Sequence, residues 1–290
     1  MTLDAHVHVW DVERSPYDWL RGLEQIDRTL TLADVSSELR ACGVDAVILV
    51  QSDDTADDTA VMRELAAGDP RVRGIVGYAP LHDPSRAAAV LEEFAHDPLM
   101  VGVRTLIHMR PEAEWMLRPG FREGVRLLQE TGLTFDVVAV TESHLRQAAV
   151  LADAFPGVTF VVDHLGQPPI DIEKPSWAGA LAEVARRPNV VAKLSGLYRT
   201  VPRLAPAGVD DVRPVIDHAL ACFGASRLLY GGDWPIAELA GGYAAATRAV
   251  REAIAELSPT ERAAIGEGSA VAAYRCARAS EGRIAHRSDV

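Results

Sequence analysis

Two histidines, His6 and His8, lie two residues apart near the start of the chain, in the segment LDAHVHVW (residues 3–10). In an extended strand alternate side chains point to opposite faces, so both histidines should share a face with Asp4, away from the apolar residues between them. Two imidazoles at this spacing can converge on one metal ion or on one polar group of a substrate. Two histidines at this spacing are weak evidence by themselves, so the prediction of an active site depends on polar residues elsewhere.

Further polar residues follow apolar runs, where strands should end. Asp163 and His164 follow VTFVV (residues 158–162), and Asp233 follows LLYGG (residues 228–232). A carboxylate or imidazole at such a place can ligate a metal or act as a general acid or base. For the Asp163–His164 pair a structural alternative exists, because an aspartate can cap the following turn.

Two cations are placed within or at the end of predicted strands. Arg104 ends the run MVGVR and offers a fork of donors to a ligand carboxylate, carbonyl or hydroxyl. Lys193 interrupts the apolar run VVAKLS, and a lysine in such a run needs a partner. It either pairs internally with an acid or faces the site, and the residues leave both readings open.

The segments that must position these residues alternate in type along the chain. Short runs rich in β-branched residues recur, each followed by a segment with apolar residues at three- and four-residue spacing. The predicted strands are Leu3–Val9, Asp45–Val50, Val72–Tyr78, Met100–Thr105, Leu133–Ala139, Val158–Asp163, Val190–Ser195 and Leu228–Gly232. Helices are predicted at Ser85–His96, Phe121–Glu130, Glu142–Phe155 and Trp177–Arg187, with cap-like residues at Asp83, Thr141 and Ser258.

This alternation favours an α/β fold, a (β/α)8 TIM barrel built as a single domain. A doubly wound open sheet is the alternative, and the absence of a glycine-rich nucleotide pattern after the first strand weakens it. We predict the barrel over residues 1–276 and a polar, flexible tail over residues 277–290. Long inserts follow strands one, four and seven on the side where barrel active sites are built, and Trp10 and Tyr198 are among their candidate pocket residues.

Bulk composition argues against several partners. The net charge of −12 and the lack of a Lys/Arg cluster argue against nucleic acid, and no apolar run is long enough to span a membrane. The start of the chain shows no secretory signal, and three widely spaced cysteines indicate a reducing compartment. We therefore expect a cytoplasmic protein with a small-molecule partner. A dimer is compatible with the sequence, which does not determine the oligomeric state.

The motifs DAHVHVW, GVR, DHLGQP, KLSGL and GGDWP occur together and in this order. In this the chain resembles the amidohydrolase superfamily, and within it the lactonase-like branch (amidohydrolase-2) with L-fucono-1,5-lactonases, L-rhamnonolactonases and 2-pyrone-4,6-dicarboxylate lactonases. The resemblance covers nearly the whole chain. It implies a (β/α)8 barrel that hydrolyses a small cyclic ester, with His6, His8, His164 and Asp233 around the substrate and a water molecule.

The chain departs from the superfamily pattern in two respects. Members with two metals carry a bridging lysine or glutamate after strand four and a histidine after strand five, whereas here strand four ends in Arg104 and strand five has no histidine. The resemblance therefore implies at most one divalent ion, with Zn²⁺ the first candidate, on His6, His8 and Asp233. The branch also includes members that work without a metal. The second departure is Gly232, where the family often has serine.

The leading hypothesis is hydrolysis of a sugar-acid 1,5- or 1,4-lactone such as L-fucono- or L-rhamnonolactone. Asp233 would act as the general base on water, and His6, His8 and His164 would stabilise the oxyanion. Substrate contacts are assigned to Arg104, Trp10, Lys193, Tyr198 and Trp234. The alternatives are a metal-dependent decarboxylase of the same superfamily, a hydrolase of a pyrone- or muconolactone-type dicarboxylate and, least favoured, a non-catalytic barrel that binds a sugar acid.

Overall fold

The computed structural model describes residues 2–112, 114–172, 175–201 and 203–276. In these residues eight parallel strands form one sheet in chain order, each paired with the next. The strands are β1 Leu3–Val7, β2 Ala46–Val50, β3 Val72–Tyr78, β4 Met100–Thr105, β5 Thr134–Val137, β6 Phe160–Val162, β7 Val190–Leu194 and β8 Leu228–Tyr230. The predicted strands are all present. Several are shorter than predicted because their last residues leave the ladder to form loops.

Helices connect the strands and cover the outside of the sheet. They are α1 Leu32–Ala41, α2 Ala56–Gly68, α3 Pro84–Ala95, α4 Pro119–Gln129, α5 Glu142–Ala154, α6 Trp177–Ala185, α7 Val209–Phe223, α8 Tyr243–Ala253, α9 Pro259–Ala263 and α10 Ser269–Tyr274. The predicted caps are confirmed, since the side chains of Asp83, Thr141 and Ser258 each accept a hydrogen bond from the backbone N–H three residues later. These bonds satisfy amides that the first helical turn leaves without a partner.

The first and last strands meet through the residues that follow them. Val7 forms a parallel bridge with Trp234, and His8 N donates to Trp234 O at 2.7 Å. Asp233 N donates to His6 O at 2.9 Å. These contacts bring the sheet close to a closed barrel, and they confirm the predicted single-domain (β/α)8 fold.

The interior of the barrel is apolar at its amino-terminal end. One buried cluster combines residues of seven strands with Ala270 and Tyr274 of α10: Leu3, Ala5, Ala46, Ile48, Val50, Val76, Val101, Val161, Val191 and Leu229. Helix α10 therefore covers this end of the barrel. Its Tyr274 hydroxyl donates to Asp136 Oδ2 at 2.6 Å, which links the apolar layer to the polar residues above it.

A β-bulge interrupts β1 at Ala5 and His6, and so includes the first histidine of the pair. Asp4 pairs with Val47 and Val7 pairs with Leu49, so the two residues between them on β1 oppose a single residue of β2. A bulge of this kind re-aims the side chains of its strand. Ala5 and His6 consequently both face the interior.

The prediction that Asp4 shares a face with the histidines was wrong. Its carboxylate accepts hydrogen bonds from the Tyr243 hydroxyl of α8 at 2.7 Å and from Gly232 N at 2.8 Å. The reason is the bulge, since one added residue inverts the alternation between Asp4 and His6. The alternation of faces therefore holds on each side of the bulge but not across it.

Among the described residues, no helix combines the length and the apolar character that a membrane crossing requires. The tail predicted over residues 277–290 lies outside the described residues. The boundary at residue 276 stays a prediction.

Candidate active site

The loop after β6 presents His164 through an unusual backbone. Four consecutive residues, His164 to Gln167, have positive φ values of 53°, 51°, 70° and 54°. For residues other than glycine the left-handed region costs about 1–2 kcal/mol each, and such strain collects at functional sites. The turn places the His164 ring 4.5 Å from the His6 ring, centroid to centroid, and His164 Nδ1 lies 2.9 Å from Ser195 Oγ.

Asp233 joins the histidines from the end of β8. It also has a left-handed backbone, with φ 55°. Its Oδ1 lies 3.7 Å from His6 Nε2 and 3.6 Å from His8 Nε2. The structure therefore brings together the four residues that the sequence analysis assigned to catalysis.

His6 and His8 touch one another. Their Nε2 atoms are 3.1 Å apart, and His8 Nδ1 lies 2.7 Å from Val50 O. Burial is the largest cause that lowers the pKa of both imidazoles, that of His6 well below its usual value. Both rings are therefore neutral at pH 7.

The ligand atoms of His6, His8 and Asp233 lie within 4.8 Å of one another. Two imidazole nitrogens and a carboxylate oxygen are the donor set of a single Zn²⁺ site with an open position, so these residues fit one divalent ion in number and in type. A second group of possible ligands, His6, Asp163 and His164, shares His6 with the first. The two groups meet different ring nitrogens of His6, since Asp163 lies next to Nδ1 and Asp233 next to Nε2.

Arg104 and Lys193 surround the His6 ring. Arg104 Nη1 lies 3.2 Å from His6 Nε2 and 3.5 Å from Asp163 Oδ2. Lys193 is fully buried, with its Nζ 2.6 Å from Asp136 Oδ2, 3.1 Å from Asp163 Oδ1 and 3.1 Å from His6 Nδ1. The sequence left two alternatives open for Lys193. The structure shows the first of them, because the lysine pairs internally with acids.

A cavity of about 580 Å³ opens above this cluster at the carboxyl ends of the strands. Five of the residues that the sequence analysis assigned to the site are on its wall: His8, Arg104, His164, Tyr198 and Asp233. His6 lies just behind His8 and is fully buried. The loops that follow strands β1, β4 and β7 supply much of the remaining wall, as the long inserts suggested.

Trp10, Lys193 and Trp234 are not on the wall of this cavity. The Trp10 indole is buried and donates to Arg28 O at 2.8 Å, and Trp234 faces a smaller cavity next to Glu38 and Glu238. Lys193 lies beneath the histidines. We therefore no longer assign substrate contacts to these three residues.

Sequence reasoning missed the acids that follow β2. Asp53 and Asp54 line the cavity, and Asp54 forms an ion pair with Arg110 at 2.8 Å. A signal was present, because QSDD follows the run AVILV directly and strand ends meet at the barrel mouth. Asp136 was missed as well, and nothing local distinguishes it, because its partner Lys193 is 57 residues away in the chain.

Gly232, the departure from the family's serine, has a structural reason in this chain. A Cβ at this position would lie 2.2 Å from Tyr243 Cε2 and 2.5 Å from Asp4 Oδ2. Burial and then the charge of Asp233 raise the pKa of Tyr198 well above its usual value, so its hydroxyl stays protonated beside that aspartate. Tyr198 therefore provides a hydroxyl near Asp233 although residue 232 does not.

Gly232→Ser is expected to lower the free energy of unfolding by about 1–3 kcal/mol, because the added atoms overlap the Tyr243 ring in a packed region. Urea denaturation measures the change. Gly266→Ser is the control, since a Cβ there meets no heavy atom within 4 Å. Equal stability of the two variants would contradict the close packing of Tyr243 on Gly232.

Comparisons with known proteins agree with this geometry. The sequence model of the amidohydrolase family matches residues 3–276. The chain is 32% identical over 288 residues to L-fucono-1,5-lactonase of Burkholderia ambifaria, over 96% of this chain and 97% of that protein. It is 29% identical to the L-fucono-1,5-lactonase of Burkholderia multivorans, over 98% of this chain and 99% of that protein.

A solved structure shares the arrangement of the barrel. The crystal structure of an amidohydrolase from Burkholderia multivorans with bound zinc superposes with a TM-score of 0.83 at 27% identity, covering 96% of this chain and all of that one (100%). The family model spans every strand and each of the polar strand ends described above. The resemblance inferred from the motifs is thus confirmed, and the chain belongs to the amidohydrolase family of enzymes.

Proposed function

We propose that this enzyme hydrolyses an uncharged sugar-acid lactone of the L-fucono-1,5-lactone type. The names of its relatives support a sugar lactone, and the charge of the cavity wall supports an uncharged one. Among the described wall residues are four carboxylates, Asp18, Asp53, Asp54 and Asp233, and two arginines. This acidic balance is the observation that carries the proposal.

Both arginines of the wall already face a carboxylate. Arg110 pairs with Asp54 at 2.8 Å, and Arg104 lies 3.5 Å from Asp163. Partial removal from water in the cavity wall, and then the charge of Arg104, lower the pKa of His108, so this residue is neutral at pH 7. Among the wall residues that the structure describes, a substrate with two carboxylates would find no cation with uncompensated charge, whereas lactone hydroxyls can donate to Asp53 and Asp18.

Asp233 acts as the general base in this proposal. Its carboxylate takes a proton from water, the water oxygen bonds to the lactone carbonyl carbon, and the bond from that carbon to the ring oxygen breaks. Asp233 then returns the proton to the ring oxygen, so that a hydroxy acid is released. The position of Asp233 at the cavity wall, with Oδ1 3.7 Å from His6 Nε2 and 3.6 Å from His8 Nε2, supports this assignment.

Arg104 and His164 reach the same part of the wall and are assigned to the developing oxyanion. Donors fixed before the reaction stabilise such charge without reorganising. The left-handed turn and the contact with Ser195 hold His164 in place. When a divalent ion is bound by His6, His8 and Asp233, it supplies Lewis-acid polarisation of the carbonyl and lowers the pKa of water.

The test is a panel of L-fucono-1,5-lactone, L-rhamnonolactone and 2-pyrone-4,6-dicarboxylate, each assayed with and without a chelator. We expect kcat/KM to be about 100-fold higher for the uncharged lactones, because about 3 kcal/mol of like-charge repulsion opposes the dicarboxylate. Faster turnover of the dicarboxylate would contradict the charge argument. Release of carbon dioxide from an aromatic acid, with no lactone turnover, would instead indicate the decarboxylase.

A further inference from the structure

The wall of the active-site cavity has an acidic side. Three of its four described carboxylates, Asp18, Asp53 and Asp54, follow strands β1 and β2. The described wall residues that follow β5 and β6 include no aspartate, glutamate, lysine or arginine. Neighbours in the sheet follow the order of the chain, so β5 and β6 lie across the barrel from β1 and β2. The acidic side of the cavity therefore faces a side of different chemistry.

The side that follows β5 and β6 carries four aliphatic side chains, which we call the apolar strip. They are Val138, Val140, Ile170 and Ile172. Exposure rises from 5% at Val138 to 36% at Ile172, and the other two residues are partly buried against the core. Because β5 lies between β4 and β6, Val138 lies between Arg104 and His164 in the order of the barrel. The apolar strip thus begins beside the residues assigned to the oxyanion and ends in solvent.

Exposed apolar side chains are present at the mouth of this cavity. Five large apolar side chains are exposed among the residues that the structure describes, and two of them, Met109 and Ile172, are on the cavity wall. Single exposed apolar residues are common, but apolar residues joined to a cavity are typical of a ligand site. Cavities of roughly 300–1,000 Å³ enclose drug-sized ligands, and this one has about 580 Å³. A monosaccharide lactone is smaller than such a ligand and would leave part of the apolar strip in contact with water.

We propose that this enzyme also hydrolyses lactones that carry an alkyl chain on the ring carbon bonded to the ring oxygen, and that the chain lies on the apolar strip. Transfer of methylene groups from water to an apolar wall is favourable. The proposal uses the catalytic residues of the proposed function and goes beyond its sugar lactones, because an alkyl chain offers no hydroxyl to the acidic side.

The reaction is the same as for a sugar lactone and needs no reactant other than water. The water oxygen bonds to the carbonyl carbon, the bond from that carbon to the ring oxygen breaks, and Asp233 transfers the water proton to the ring oxygen. The product is a hydroxy acid whose hydroxyl-bearing carbon carries the chain. Because that carbon is bonded to the leaving oxygen, the chain begins next to the catalytic residues, where the apolar strip also begins.

The first test compares δ-valerolactone with δ-decanolactone, which share the reactive ring and differ by a pentyl chain. The wild-type kcat/KM for each lactone is divided by the rate constant of its hydrolysis by hydroxide, which removes the difference in intrinsic reactivity. We expect the corrected value to be about tenfold or more higher for δ-decanolactone, the low end of what one methylene contributes in an apolar pocket. Equal values, or no turnover of δ-decanolactone, would overturn the proposal.

L-fucono-1,5-lactone in the same assay keeps the two proposals distinguishable. Turnover of this sugar lactone without an effect of the alkyl chain would refute the alkyl-lactone activity and leave the sugar-lactone function standing. Turnover of δ-decanolactone with the expected chain effect, and none of the sugar lactone, would support the alkyl-lactone activity and refute the sugar-lactone function.

The second test changes the apolar strip itself. The variant Val140→Thr/Ile170→Thr puts two hydroxyls on it, and the matched control Val150→Thr makes the same kind of exchange at an exposed residue of α5 outside the cavity wall. We expect the preference for δ-decanolactone over δ-valerolactone to fall about tenfold in the double variant and to stay unchanged in the control. An unchanged preference in a folded double variant would overturn the proposal. If that variant does not fold, Ile172→Asp at its exposed position replaces it and should also lower the preference.

Discussion

Asp233→Asn is expected to lower kcat by about 10³-fold on the lactone that the wild type hydrolyses fastest, a loss of about 4 kcal/mol. An amide cannot take the proton of the attacking water, nor return one to the ring oxygen. KM should change much less, because the amide keeps the size and the hydrogen-bonding reach of the carboxylate. Initial rates over a range of lactone concentrations separate the two constants.

Three measurements make the Asp233→Asn result interpretable. Circular dichroism and thermal unfolding should match the wild type within a few degrees, which excludes loss of fold. Asp153→Asn removes an exposed carboxylate on α5, far from the cavity wall, and should leave kcat unchanged. If Asp233→Asn kept wild-type activity, Asp233 would not be the base, and His164 would be the next candidate to test.

Gly196→Ala is expected to have the second-largest effect, about 10²-fold on kcat/KM. Gly196 has φ +58°, and a Cβ there would lie 2.5 Å from His164 Nδ1 and 3.1 Å from Asp233 Oδ2. One methyl group would therefore push two residues of the site apart, and a displacement near 1 Å can cost about that factor. Steady-state kinetics on the same lactone measures the effect.

Backbone strain from a side chain at positive φ would by itself destabilise Gly196→Ala. The control variant must therefore carry the same kind of strain at a position away from the site. Gly43 has φ +59°, and a Cβ there meets nothing within 4 Å. Gly43→Ala should lose about 1 kcal/mol of stability with kcat/KM intact, because strain without displacement leaves the site in place. Equal activity losses in the two variants would show that strain, and not the approach of Gly196 to the site, limits catalysis.

The parts of this protein that could be predicted from its sequence are those encoded in neighbouring residues. β-branched runs, helical spacing and caps such as Asp83 and Thr141 report local backbone preference, and that sufficed for the eight strands and their order. His164 and Asp233 were found because a polar residue directly after an apolar run lies at a strand end, and strand ends of a barrel share one mouth.

The remaining features depend on contacts between distant residues. Asp4 faces Tyr243 because of a bulge whose register is set by pairing with β2, and the aromatic residues split between cavity and core according to packing. Lys193 lies among Asp136, Asp163 and His6, residues that precede it by 57, 30 and 187 positions.

The sequence by itself determined the barrel, the family and the polar strand ends, because hydrophobic periodicity and motif order are written in adjacent residues. Only the tertiary structure decided which charges compensate one another, as Asp54 does for Arg110, and that Lys193 and Arg104 both contact the His6 ring. The physical reason is that the energy of a buried charge or proton depends on its distance to partners and on its removal from water. Both quantities are set by the folded chain.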